Sequence, residues 1–331
     1  MQTIEPTMTE SLDSAAEALV QAQRIVVVSH VNPDADAIGS VLGLTRGLSA
    51  SGKQVTGALS DPIPDYARFL TGSEDIASEL PANDVDLIVS VDAADIERIG
   101  RLYEENRDRF ASTPVLNIDH HRTNPRFGTV NHVDPHASST SELMFRVLTA
   151  LNCPVSATTA TALLFGIFGD TGSFQNGATT PGALVTAAHL VELGADNQRV
   201  SFQLFERKRF VGARLWGRII SEIELDAERH IVFGYLSQDM LQTEGATPDE
   251  TEGVAEYLRG VQEATVVVLM KETPEGEMRI SMRSRPEVDV SAIATALGGG
   301  GHRQAAGCTI PGPYLAAKEV ITETFDRLNP R

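Results

Sequence analysis

Cysteine is nearly absent from this sequence: Cys153 and Cys308 are the only two in 331 residues, and no Cys-x-x-Cys occurs. That excludes a disulfide framework or a zinc ribbon and fits a reducing cytoplasm, the expected compartment. Long apolar runs are also missing. The longest, such as residues 25–28 and 266–270, have the length of a strand and fall far short of a bilayer span. Residues 1–10 carry two acids and no Lys or Arg, which argues against a secretory leader. Positive charge is scarce as well, 27 Lys and Arg against 45 Asp and Glu, for a formal charge of −18. A protein that grips long nucleic acid usually shows a basic face, so an anionic ligand of this chain has to be small and held locally. Taken alone, the acidity signals no more than solubility.

What is present is globular in kind: 42% hydrophobic, 22% charged, with 27 glycines, in a chain long enough for two domains. From residue 24 to about 194, β-rich runs at 24–29, 53–59, 86–91, 114–118 and 127–133 alternate with helical patterns at 36–50, 96–110, 140–151, 156–168 and 181–193. Strands separated by helices predict an α/β fold with a doubly wound, mostly parallel sheet. A basic, helically spaced segment at 195–212 reads as a connector. Strands at 230–236, 264–272 and 277–284, with helices at 248–260, 289–297 and 313–328, predict a smaller α/β domain over 213–331.

Four signals carry chemistry. His30, Asp34 and Asp36 follow the strand at 24–29, where ligands of open α/β sheets collect beyond the carboxyl ends of strands. Either acid alone would pass for a helix cap. Asp92 ends the apolar run 87–91, where a cap is an equal reading. Asp119-His120-His121 ends the strand at 114–118; adjacent histidines point to opposite sides, so one can hold a metal while the other faces a substrate, with Asp119 orienting an imidazole. Asp170, in Gly169-Asp170-Thr171-Gly172, closes an apolar helix, where the dipole disfavours an acid and a cation would compensate. Four carboxylates and two histidines at one rim would repel and raise one another's pKa without metal. Two divalent cations resolve this, and the mixed donors suit Mn²⁺ better than Mg²⁺, with Mg²⁺ or Co²⁺ as the alternatives.

In the C-terminal part, the run Gly298, Gly299, Gly300, Gly301 precedes His302. One glycine is explained by a helix cap; four suggest a backbone that a phosphate can approach, with Arg283 as a second contact. Ser138, Ser139 and Thr140 read as caps of the helix at 140–151. His132, His136, His189 and His230 read as structural, and both cysteines as buried thiols.

The order His30-x-Asn-Pro-Asp34-x-Asp36, Val91-Asp92, Asp119-His120-His121, Gly169-Asp170-Thr171-Gly172 resembles the DHH phosphoesterase superfamily. The tail, Arg283-Ser284 and then Gly298 to His302 with Ala305-Ala306-Gly307, resembles the DHHA1 domain. Ala35 departs from the pattern, since many relatives carry Gly there. The resemblance implies a catalytic domain over 1–194, a substrate-binding domain over 213–331 and an active site in the cleft between them. His30, Asp34 and Asp92 would hold one cation. Asp36, Asp92, His120 and Asp170 would hold the other, with Asp92 bridging. His121 would stand by the scissile phosphate with Asp119 behind it, and Arg283, Ser284, Gly299, Gly300, Gly301 and His302 would bind the nucleotide.

Its compact form is similar to the oligoribonuclease (nanoRNase)/pAp phosphatase branch. That implies 3′–5′ hydrolysis of RNA of about two to five nucleotides to mononucleotides, and of pAp to AMP, by in-line attack of a bridging hydroxide. The alternative is a phosphodiesterase of cyclic di-AMP or pApA. An inorganic pyrophosphatase and a non-catalytic nucleotide sensor rank lower, the first on its tail motif, the second because no donor is missing. Long nucleic acid and membrane are not expected partners; the resemblance leaves room for a homodimer.

Overall fold

A computed structural model describes residues 8–329; residues 1–7, part of the acidic stretch that argues against a leader, and residues 330–331 lie outside them. The chain divides into two compact units, one ending at Arg207 and one beginning at Lys208. Among the described residues no helix is long and apolar enough to cross a membrane.

The first unit runs α1 (Met8–Gln21), β1 (Arg24–Val28), α2 (Ala35–Ala50), β2 (Gln54–Ala58), β3 (Leu87–Val91), α3 (Arg101–Glu104), α4 (Arg107–Ser112), β4 (Val115–Asp119), β5 (Val130–Val133), α5 (Thr140–Ala150), α6 (Ala157–Thr171), α7 (Pro181–Glu192) and α8 (Asn197–Ser201). Its five strands are parallel in the order β2-β1-β3-β4-β5. Every residue of β3 and β4 is buried, because helices cover both faces. Ile25, Val27, Val89 and Ile118 face the core shared with α2, α5 and α6. Val26, Val28, Ile88 and Val115 face the other side, with Leu102 of α3 and Phe110 of α4. A sheet of parallel strands gathers its carboxyl ends at one rim. The chain leaves β1 for β2 on one flank and returns for β3 on the other, so the crevice between β1 and β3 is the switch point where such folds bind ligands.

Helices α2 and α6 lie antiparallel at glycine-mediated distance. A Cβ at Gly39 would come within 2.5 Å of the Ala162 carbonyl, one at Gly169 within 2.5 Å of Ala35 Cβ, and one at Gly166 would strike Ser141 Oγ. The start of α2 and the end of α6 therefore share one rim. The continuous helix predicted at 96–110 is instead a 3₁₀ turn (Ile96–Ile99) followed by α3 and α4. The break falls at Gly100, whose φ of 68° and closeness to the Val31 side chain admit no side chain. His132 is buried on β5 with Nδ1 2.9 Å from Ser11 Oγ, and burial pushes its pKa down to about 4, as a structural histidine requires. Cys153 is only partly buried, unlike the expectation; Cys308 is buried.

The second unit comprises α9 (Phe210–Ser221), β6 (Glu224–Asp226), β7 (Ile231–Leu236), α10 (Gln238–Glu244), α11 (Val254–Leu258), β8 (Val266–Glu272), β9 (Glu277–Ser284), α12 (Val290–Ala296), β10 (Gly300–His302), β11 (Ala305–Pro311) and α13 (Tyr314–Leu328). Its mixed sheet has six strands, β10-β11-β9-β8-β7-β6, where three were predicted. Strands β6 and β10 have three residues each, and β11 begins in Ala-Ala-Gly, too short or too small to read as strands. Helices α12 and α13 cover one face, over Met278, Ile280, Met282, Cys308 and Ile310. Helices α9, α10 and α11 cover the other face only over Val232, Leu236, Val267 and Leu269 of β7 and β8. The predicted helix at 248–260 is a 3₁₀ turn (Pro248–Thr251) and α11, divided at Gly253 with φ of 86°. Segment 195–212 contains α8, a π-helical turn (Phe202–Glu206) and the start of α9.

Candidate metal centre

The site starts where β1 and β3 end. Ser29 Oγ donates to the Val91 carbonyl at 2.7 Å and ties the two strand ends together. His30, 4% exposed, has Nδ1 2.8 Å from the Val31 carbonyl. A carbonyl only accepts, so Nδ1 carries the proton and Nε2 is turned toward carboxylates. Those are Asp34 Oδ1 at 3.7 Å and Asp92 Oδ2 at 3.6 Å. Asp34 is also the cap of α2, accepting from the Asp36 and Ala37 amides at 3.0 and 3.1 Å. Capping the helix thus leaves the same carboxylate facing His30 Nε2.

Asp92 is 2% exposed and has a left-handed backbone, φ 56°, a conformation that costs free energy for any residue with a side chain and that Asp tolerates better than most. Its Oδ1 lies 3.6 Å from His120 Nε2 and 3.8 Å from His121 Nδ1. Its two oxygens thus face two different sets of donors. His120 Nε2 lies 3.1 Å from Asp170 Oδ2 at the end of α6. Asp36, 1% exposed in the first turn of α2, completes that second set. Among the described residues three groups result, His30/Asp34/Asp92, Asp36/His120/Asp170 and Asp92/Asp119/His120/His121, each with ligand atoms within 4.8 Å of one another; the first two match the expected ligand sets.

Asp119 behaves differently. Its Oδ1 accepts from the His120 and His121 amides at 2.8 and 3.2 Å and meets His121 Nδ1 at 2.7 Å, while Oδ2 accepts from Asn124 Nδ2 at 2.6 Å. It is fully buried, with both oxygens committed to its own turn. It therefore fixes the His121 ring with Nε2 directed away from it, on a side chain that is 41% exposed.

The electrostatics test whether cations fit. Burial, and then the Asp36 charge, raise Asp92 well above the carboxylate range, and the same two causes lift Asp170 to about 7. Burial alone would lower His30 and His120, but the carboxylates beside them outweigh it. Asp34 and Asp92 hold His30 at about 10, and Asp170 and Asp36 hold His120 at about 10. Without cations, then, this cluster retains protons in order to neutralise itself. Buried Asp and His donors about 3–4 Å apart are what two small divalent cations bridge, and they would take the place of those protons. The residues present fit the pair.

Sequence reasoning missed the support of Asp36. The amide of Thr140 donates to its Oδ2 at 2.6 Å and the amide of Ser141 to its Oδ1 at 2.8 Å, so α5 aims its amino terminus at a buried carboxylate. Thr140 Oγ1 also donates to Asp92 Oδ1 at 2.9 Å. Ser139 alone is the cap, through the Glu142 amide at 3.1 Å. The run Ser138-Ser139-Thr140-Ser141 was the available signal: one cap needs one hydroxyl, not four in succession.

The expected nucleotide contacts lie in the second unit. Arg283, on β9, is ion-paired with Glu256 of α11. Ser284 is fully buried and donates to the Val288 carbonyl at 2.8 Å, so its hydroxyl holds a turn and is not offered to a ligand. A Cβ at Gly299 would strike the Gly307 carbonyl, and one at Gly301 would lie 2.6 Å from the Ala305 carbonyl, so β11 itself requires these two glycines. Gly300 meets nothing, and His302 is exposed.

The model of the DHH family, N-terminal domain, matches residues 24–167, and that of the DHHA1 domain matches residues 231–329. The bifunctional oligoribonuclease and PAP phosphatase NrnA of Thermus thermophilus is 35% identical over 98% of this chain and 97% of its own. A cyclic-di-AMP phosphodiesterase, PdeA of Listeria monocytogenes, is 28% identical over 92% of this chain but 47% of its own. Among solved structures, an exopolyphosphatase-related protein from Bacteroides fragilis, 24% identical, superposes with a TM-score of 0.88 over 100% of this chain and 98% of its own, a likeness of fold. Sequence, sheet order and donor cluster agree, and the chain belongs to the DHH family, with a DHHA1 domain following the DHH domain.

Proposed function

We propose that this DHH-family chain, a hydrolase of phosphoric ester bonds, degrades RNA a few nucleotides long to mononucleotides and removes a phosphate from pAp. One observation carries the reading: two donor groups, His30/Asp34/Asp92 and Asp36/His120/Asp170, meet at a buried Asp92 whose two oxygens face opposite ways. The relative from Thermus thermophilus, similar along its whole length and named for both activities, supports the choice of substrate.

His30, Asp34 and Asp92 would hold one divalent cation, and Asp36, Asp92, His120 and Asp170 the other, with Mn²⁺ favoured by the mixed donors. When bound, the pair supplies a water of lowered pKa and positive charge beside the phosphoryl oxygens. The remaining work falls to side chains. Helix α5 holds the buried Asp36 side chain in place through the Thr140 and Ser141 amides. Asp119 holds His121 by Nδ1, leaving Nε2 to donate to an oxygen of the scissile phosphate or to the leaving oxygen. The net charge of −18 disfavours long polyanions and leaves small ones, whose charge the site can neutralise.

The test is side-by-side turnover by purified protein in Mn²⁺ of a five-nucleotide RNA, pAp, pApA, cyclic di-AMP and pyrophosphate. Mononucleotide release from RNA and phosphate release from pAp are expected to lead. Preference for cyclic di-AMP or pApA would select the second reading, which the Listeria relative favours, although this chain spans about half of that protein. Turnover by rigorously metal-free protein would remove the cations from the chemistry.

A further inference from the structure

Outside the metal centre, one arrangement in the second unit is costly for the fold and unexplained by it. Lys271 on β8 and Arg279 on β9 are direct cross-strand partners. Like charges placed opposite each other destabilise a sheet. In an acidic chain each could have been given a carboxylate, as Arg283 is given Glu256. Among the described residues neither Lys271 nor Arg279 has an ion-pair or side-chain hydrogen-bond partner. Burial and then Arg279 push the Lys271 pKa down; the acids of the adjoining segment, Asp249, Glu252 and Glu256, act on it only at a distance. Unpaired arginines occur elsewhere on the surface, but here two unpaired cations share one register position.

Their place on the sheet is also informative. Side chains alternate along a strand, so Arg279, Ser281 and Arg283 stand on one face, opposite to Met278, Ile280 and Met282 in the core. Lys271 is on that same face, continuing from Val267 and Leu269. Helices α9, α10 and α11 cover β7 and β8 there, and beyond them Arg279 and its β11 partner Thr309 are exposed. The result is a polar strip along β9, with one cation at Arg283 and two more about four residues, roughly 13 Å, further along.

We propose that Lys271 and Arg279 form a binding site for a phosphate of the substrate distant from the one near Arg283. The proposal rests on the short-RNA reading above and sharpens it. At about 3.4 Å per nucleotide in a helical strand, and roughly twice that when extended, 13 Å corresponds to about two to four nucleotides. A single nucleotide or pAp is too short to reach both ends of the strip, and a four- or five-nucleotide RNA reaches both. The strip makes affinity grow with length over the first few nucleotides and then stop.

The experiment is anisotropy of labelled RNAs of two to five nucleotides and of pAp on the full chain with metals chelated, so that nothing is cleaved, over a series of salt concentrations. Wild type should bind five nucleotides about tenfold or more tightly than two. In Arg279→Glu and in Lys271→Ala/Arg279→Ala that ratio should fall toward one. The salt slope for the longest RNA should fall by roughly one, since each single-strand phosphate contact contributes about 0.7. Lys271→Arg should restore both. Because Lys271 is partly buried, the exposed Arg279→Glu carries the test if the double variant does not fold. Folded Arg279→Glu with the wild-type length ratio and salt slope would overturn the strip while leaving short-RNA hydrolysis standing. A wild type that cleaves no RNA of any length in Mn²⁺ would overturn the reading beneath it, and the strip with it.

Discussion

In the first unit the side chains of the candidate metal centre stand at or near element ends, and three are held there by a neighbour: Asp36 by the amides of α5, His121 by Asp119, His30 by the Val31 carbonyl. In the second unit the cations stand along the middle and ends of strands; Arg283 has a movable carboxylate partner, and Lys271 and Arg279 have none. The one arrangement is fixed before any ligand arrives and is tense with its own charge. The other, on the proposed reading, is left for a ligand to complete. Chemistry at phosphorus tolerates little positional error, whereas gripping phosphates of a variable chain profits from latitude. On the proposed function the two units would divide the work along that line.

The largest expected effect breaks the fixed side of this comparison. Asp92→Asn keeps shape and tolerates the left-handed backbone, but removes the charge that faces both donor groups. Activity should fall by at least about 10³-fold, with metal content lost at both positions in elemental analysis. Because burial and Asp36 already oppose the Asp92 charge, the metal-free variant should be more stable than metal-free wild type. Each kcal/mol relieved is worth about 2–4 °C in the unfolding midpoint. A variant that keeps its metals, or melts lower without them, would contradict this account of Asp92.

Next comes His121→Gln. Its Nδ1 is held by Asp119 and it belongs to neither proposed ligand set, so both metals should stay bound while kcat drops roughly 10²–10⁴-fold. An emptied metal position in this variant would exchange the roles of His120 and His121. A smaller loss is expected from Gly166→Ala, which replaces no proposed ligand but crowds one. The added methyl would sit 2.7 Å from Asp36 Oδ1 and against Ser141 Oγ, prising α5 from α6 at a cost of about 1–3 kcal/mol. Weaker metal binding should accompany the lower melting point; a stability change alone would mean that the seam merely packs.

The smallest effect sharpens the loose side. Arg283→Ala should weaken hydrolysis of short RNA and pAp by about tenfold, toward the low end for a charge-assisted contact because Glu256 competes for the guanidinium. It should leave bis-p-nitrophenyl phosphate, which asks nothing of the second unit, untouched. Equal losses on both substrates would place Arg283 in the fold.

These differences also explain what could be read from the sequence. The residues 24–28, 87–91 and 115–119 were legible as strands because burial on both faces leaves mostly apolar runs, and a residue of the candidate site ends each run or follows it within two positions. The helix at 96–110 was misread because its break depends on Gly100 fitting under Val31, a contact some 70 residues apart in sequence. Strand β11 was invisible, since glycine and alanine there serve close approach to β9 and β10 and carry no strand signature. Thr140 and Ser141 were legible as helix starters but not as donors to Asp36, because their partner is 104 and 105 positions away. Ser284 was taken for a ligand contact because its neighbour Arg283 is suited to one; alternation along β9 turns it inward.

The seam between α2 and α6 has a consequence for how this protein can be altered. Ala35 lies against Gly169, Gly39 against Gly166, and Gly43 against Leu163, so the two helices are engaged like the teeth of two racks, and the acids near their meeting ends are spaced by that engagement. One residue inserted between Gly39 and Ala50 would leave the acids of α2 in place and disturb only the far end. One inserted between Gly166 and Asp170 would turn the acid by about 100° and move it about 1.5 Å. A length change is therefore expected to cost the site most between Gly166 and Asp170, and an insertion scan through α6 should show metal binding lost there more sharply than for insertions nearer Ala157.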